Sequence, residues 1–164
     1  MTNILQYKIE TAIGECEAHI ARIESATAGL KSTFPLSAES LKNLSDQNVA
    51  LLDQFIYRFT KLQDAIGTRF FPSMALLVIG DEEPRPFLDT LNRLEKAGVL
   101  ESVEKWQTLR VLRNNLAHDY PDSVGQCADT LNILFNDWKL MRSIFFTARN
   151  YFAERILPLL QQNT

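Results

Sequence analysis

Glu104-Lys105-Trp106-Gln107-Thr108-Leu109-Arg110-Val111-Leu112-Arg113-Asn114-Asn115-Leu116-Ala117-His118-Asp119-Tyr120 reads as the end of a helix carrying three chemically competent side chains on and just beyond its last turn. Arg113 keeps its charge under all cellular conditions and presents a planar fork of donors suited to phosphate. His118 exchanges protons between pH 5 and 8, the range of a general acid or base. Tyr120 adds a phenol two places further on. The Arg-x4-His-x-Tyr arrangement therefore holds the parts needed to bind a phosphodiester and move protons around it. Residues five apart on an ideal helix point about 140° away from each other, so a straight helix would not put Arg113 and His118 on one face. Pro121 forbids continuation and biases Tyr120 away from helical geometry, so the chain is expected to leave the helix around His118 or Asp119. The helix C-terminus favours a protonated imidazole. A plainer reading remains beside this one, a histidine capping the last carbonyls and an arginine paired with Asp119.

Working outward, helical periods run through the whole chain. Ile9, Ile13, Cys16, Ile20, Ile23 and Leu30 recur at three- and four-residue steps, an apolar stripe on a helix from about residue 3 to 31. Pro35 breaks it, and Ser37 or Ser40 can cap a second helix running to Ile66. Leu41, Leu44, Leu52, Phe55, Phe59, Leu62 and Ile66 face inward there, and Gly67 is expected to end it. A shorter apolar helix follows near 69–79. The stretch from Gly80 to Pro86 is the clearest loop. Phe87, Leu88, Leu91 and Leu94 give the next helix an inward face that stops at Gly98. The motif helix runs from about Ser102 to Ala117. From Asp122 to Leu157 nothing but Gly125 interrupts a helix, so one long or two abutting helices close the fold. In that segment Leu131, Leu134, Trp138, Met141 and Phe145 line one side, while Ile133, Leu140, Ile144, Tyr151 and Leu160 fall elsewhere. A helix apolar most of the way round is central to its bundle or shared with a partner. No strand-period alternation and no internal repeat is visible. The chain is expected to be an all-α bundle of about five to six helices.

At 164 residues it is one domain by size, 1–164. Its 46% hydrophobic and 23% charged content is that of an ordinary globular protein. The longest apolar run, Met74 to Ile79, is far too short to span a bilayer. Residues Met1 to Glu10 lack a charged-then-apolar secretory pattern, which makes the cytoplasm the expected location. Cys16 and Cys127 are too few for a disulfide framework, and Cys16 with His19 offers two candidate ligands, short of a zinc site. With two histidines and no paired-carboxylate motif, a metal-dependent nuclease is poorly supported, and no cofactor is expected. A net charge of −3 and a pI near 5.4 count against a protein that coats nucleic acid through bulk electrostatics. They leave room for basic groups that converge locally, and Lys105, Arg110 and Arg113 are such a concentration. Arg110 and Arg113, three apart, share one side of their helix.

The succession from Leu52 to Gly67, from Phe87 to Val99 and from Glu104 to Tyr120, with the complete Arg113-x4-His118-x-Tyr120 motif, resembles the HEPN superfamily. Within it, the chain is similar to the HepT-like toxins encoded beside a minimal nucleotidyltransferase (MNT) antitoxin. The resemblance covers about Leu52 to Tyr120. It implies a homodimer whose two motifs face each other, acting as a metal-independent endoribonuclease on RNA. Arg113 and His118 would be catalytic, with Arg113 stabilising phosphate charge and His118 as general acid/base. Asn114 would orient substrate or His118 by hydrogen bonds, or else be a plain surface residue, Arg110 would position substrate, and Tyr120 would accept AMP groups from the antitoxin. The alternative within the same resemblance is a noncatalytic module that binds a nucleotide or a nucleotidyltransferase, which the acidic pI favours slightly.

Overall fold

The computed structural model describes residues 2–80, 85–118 and 123–162, except the side chains of residues 117 and 118, and contains no strand among them. The apolar stripe of the N-terminal segment becomes α1 (Thr2–Leu30), which buries Ile9, Cys16, Ile20, Ile23 and Leu30. It packs along α3 (Asp46–Ala65), whose Phe55, Phe59 and Leu62 have no exposed surface. Each side chain of that size contributes about 1.5–3 kcal/mol when fully buried, so this helix pair is a principal source of stability.

The segment between them departs from the expected single helix. A short α2 (Ala38–Lys42) starts with a capping box, in which the Ser37 hydroxyl accepts from the Ser40 amide and Ser40 Oγ accepts from the Ser37 amide. It stops at Asn43, and Ser45 caps α3 afresh by accepting from the Asn48 amide at 3.2 Å. Two serine caps thus make two helices, and Leu41 and Leu44 are only half-buried beside them.

Gly67 does not end α3. The backbone passes through a π-helical segment (Ile66–Phe70) directly into α4 (Phe71–Val78). A π turn admits one extra residue per turn without breaking the ladder, and here Phe70 and Phe71 are both fully buried. Gly67 serves close approach instead of termination: a Cβ there would lie 3.2 Å from Trp106 Cζ2. Gly98 does end its helix, α5 (Phe87–Lys96). At φ +83° it closes a Schellman motif, donating to the Glu95 carbonyl while Val99 donates to the Leu94 carbonyl at 2.9 Å. Leu91 and Leu94 point inward as expected, but Leu88 is 52% exposed and Thr90 takes the buried position instead.

The motif helix, α6 (Val103–His118), buries Trp106, Leu109 and Leu112. It packs against α7 (Val124–Tyr151), which Ser123 caps by accepting from the Gln126 amide. A second π segment (Phe152–Ile156) leads into α8 (Leu157–Gln162), so the final segment is two helices in one rod. Counting helices joined through π segments as single rods gives six among the described residues: α1, α2, α3–α4, α5, α6 and α7–α8. On α7, Leu131, Leu134, Trp138, Met141 and Phe145 are buried, as is Ile144 from the other expected set, whereas Ile133 is half exposed. The α1–α2 connection is tied to α7 by a side-chain clamp. Asn132 Oδ1 accepts from the Leu36 amide at 2.7 Å, and Asn132 Nδ2 donates to the Leu36 carbonyl at 2.8 Å. Phe34 stacks on Phe135 with ring centroids 4.0 Å apart. No helix among the described residues is long and apolar enough to cross a membrane.

Candidate functional site

Arg113 lies on the flank of α6, one position past the buried Leu112, so its stem is half-buried and its guanidinium reaches sideways to α3. There Nη1 donates to Asp64 Oδ1 at 2.8 Å. Both side chains keep about a third of their surface exposed, 35% for the arginine and 34% for the aspartate. An ion pair this open to solvent adds up to about 1 kcal/mol of stability, so its main effect is orientation. Asp64 directs the guanidinium toward α3 through one of its five N–H donors. Asp64 itself stands in the last turn of α3, where its backbone carbonyl accepts from Thr68 Oγ1 at 2.6 Å across the junction with the π segment.

Asp64 is the site residue that the sequence reading missed. Its partner is 49 positions away, and no local spacing marks it. Arg110 and Asn114 are both exposed on α6, one turn before Arg113 and next to it. Lys105 is drawn off toward the start of the helix, with Nζ 4.0 Å from Glu101, so it does not join Arg113. The helical backbone of α6 continues through His118, the last described residue before 119–122, so the expected exit from the helix lies outside the described residues. The side chain of His118, and Asp119 and Tyr120 entirely, lie outside the described residues, and the expectations that fall on them rest on sequence.

Beneath the last turn of α6 is an open cavity of about 640 Å³ bounded by α2, α3, α6 and α7. Leu52, Ile56, Leu116 and Leu131 make its walls mainly apolar, with Asp53 and Lys42 at the margin. Along the same side of α3, Tyr57 is 55% exposed. Lys61 Nζ lies 5.6 Å and Arg58 Cζ 5.7 Å from its ring centroid.

A second polar cluster joins α1, α3 and the π segment after α3. Arg58 Nη1 donates to His19 Nδ1 at 3.2 Å, Glu15 Oε1 stands 3.6 Å from His19 Nε2, and Arg69 grips Glu15 with two donors. Burial first, then the nearby guanidiniums of Arg58 and Arg69, lowers the His19 pKa against the opposing pull of Glu15. The imidazole is therefore neutral at pH 7, and Arg58 fixes the tautomer by using Nδ1 as acceptor. Burial also pushes the Cys16 thiol up to about 12, which leaves it protonated and unreactive. No group of three or more metal-ligating side chains occurs among the described residues, and Cys16 with His19 remains a pair. Comparisons with protein-family models, with curated proteins and with solved structures return no match to this chain.

Proposed function

We propose that the chain is a HepT-like toxin of a HEPN/MNT pair, a metal-independent endoribonuclease that works as a homodimer. The observation that carries this reading is the Arg113–Asp64 pair. It orients a guanidinium suited to phosphate on the helix that also carries His118, within a complete Arg-x4-His-x-Tyr motif.

The chemistry needs little more than these groups. The ribose 2′-oxygen attacks the adjacent phosphorus and gives its proton to a base, while the P–O5′ bond breaks and the departing oxygen takes a proton from an acid. The product ends are a 2′,3′-cyclic phosphate and a 5′-hydroxyl. Negative charge that builds on the non-bridging oxygens is stabilised by Arg113 held in a preset direction. Arg110 and Asn114 position the backbone from the exposed side of the same helix. A base and an acid are both required, and the motif of one chain holds a single arginine and a single histidine. A second protomer supplies the complementary pair, which is why the dimer belongs to the mechanism.

Control follows from Tyr120, two residues beyond His118. Transfer of AMP from ATP to its hydroxyl by an MNT antitoxin, with the Pα–O–Pβ bond broken and pyrophosphate released, places a phosphodiester beside the motif, where it competes with RNA for Arg113. The net charge of −3 supports a second reading, a noncatalytic module that holds a nucleotide phosphate with the same arginine. Expression of the chain alone in a bacterium separates the two. Growth arrest relieved by Arg113→Ala supports the toxin, whereas unimpaired growth with tight nucleotide binding in vitro supports the module.

A further inference from the structure

We infer that Tyr57 and Lys61 form a base-stacking platform that extends the RNA-binding surface from Arg113 along α3, an inference that rests on the ribonuclease reading of the motif. Positions 53, 57, 61 and 64 of α3 fall within about 80° of one another around the helix. One end of that strip contacts α6, and the other shares a cavity with it. Asp64 holds Arg113 at 2.8 Å, and Asp53 shares the cavity wall with Leu116 of the motif turn. Tyr57 and Lys61 lie between those ends on the same strip of α3.

The chemistry of the strip matches a single-stranded nucleic acid. Tyr57 exposes 55% of its surface, and nothing in the packing of α3 requires an aromatic ring there. Lys61 Nζ and Arg58 Cζ stand over the ring, 5.6 and 5.7 Å from its centroid, on long flexible stems that a stacking base can displace toward its own phosphates. An aromatic ring takes a base of any sequence by stacking, and an adjacent cation takes the phosphate that follows. Tyr57 is roughly 10 Å along the axis from Asp64, a span bridged by successive nucleotides of an extended strand. The exposed carboxylate of Asp53 at the far end repels phosphate, which directs the backbone toward Lys61 and Arg113 and the base toward Tyr57. In this arrangement Tyr57 and Lys61 bind substrate and take no part in proton transfer.

The test measures binding to full-length protein by fluorescence anisotropy, with a short fluorescein-labelled 2′-O-methyl RNA that lacks the attacking hydroxyl and an abasic oligonucleotide of the same backbone. Tyr57→Ala is expected to weaken binding of the base-bearing probe about ten-fold and to leave the abasic probe unchanged, with Tyr57→Phe near wild type. Lys61→Ala is expected to weaken both probes. Circular dichroism should show an unaltered fold, because both side chains are exposed. If Tyr57→Ala binds the base-bearing probe like wild type, or loses both probes equally, the platform is overturned. The ribonuclease reading survives that result as long as Arg113→Ala still abolishes cleavage. If the wild type binds neither probe, both readings fall.

Discussion

Arg113 Nη1 and Asp64 Oδ1, 2.8 Å apart, join the motif helix α6 to the last turn of α3 and fix the direction of the cation on which the proposed chemistry depends. The pair is a third exposed, so its worth lies in orientation more than in stability. Asp64→Ala is expected to shift the urea unfolding free energy by less than about 1 kcal/mol. The same change should lower kcat for RNA cleavage about ten-fold or more, since a misdirected guanidinium no longer meets the phosphorane. KM should hold or fall, because a carboxylate that repels RNA has been removed. A loss of stability well beyond that limit, with kcat intact, would show the pair to be structural.

The Arg58–His19–Glu15–Arg69 cluster gives the fold a pH dependence of known sign. His19 is held neutral in the folded chain with its pKa below the ordinary 6.5, so in that window the unfolded state binds more protons than the folded one. The neutral imidazole's contribution is complete above about pH 6.5 and is lost as the pH falls through the folded-state value. Urea midpoints measured from pH 7.5 downward should decline for wild type, and more shallowly for His19→Gln. Parallel curves for the two proteins would remove His19 as the source.

Gln63 sits one residue before Asp64 with 3% exposure, and neither atom of its amide has a hydrogen-bond partner among the described residues. A buried amide without partners costs stability, and an apolar side chain of similar shape does not. Gln63→Met is therefore expected to leave stability unchanged or raise it by about 1–2 kcal/mol in thermal or urea unfolding. Destabilisation would reveal a bond that the amide makes in solution.

Asn132 bonds both the amide and the carbonyl of the buried Leu36, and its replacement strands those groups. Asn132→Ala is expected to cost about 1–3 kcal/mol by urea denaturation. Asn132→Asp keeps the acceptor and loses the donor, so it should fall between the two.

Much of the fold could be read from spacing, because α1 and α5 each carry an apolar stripe with a clear stop. Gly98 ended its helix as read, since a left-handed residue there closes the Schellman bonds. Gly67 was misread for a physical reason: a π segment keeps the chain helical, and the glycine sits where a Cβ would press closely on Trp106, a residue distant in sequence. Leu88 was misplaced because it stands about 100° from the Phe87–Leu91–Leu94 stripe, and the Thr90 methyl shares the buried side. At the site, Arg113 was legible because its residue type and its offset from His118 are local. Asp64 was not, because only tertiary packing brings the end of α3 to α6. The i, i+4 spacing of Tyr57 and Lys61 was the signal available for the strip beside it.

The most direct measurement is cleavage of an unlabelled cellular RNA pool by purified protein in excess EDTA, with product ends identified by their chemistry. Wild type should cut and leave 2′,3′-cyclic phosphate ends. His118→Ala and Arg113→Ala should each reduce the rate by at least about a hundred-fold. Cleavage that appears only when a divalent metal is restored, or that survives His118→Ala unchanged, would contradict metal-independent catalysis by Arg113 and His118.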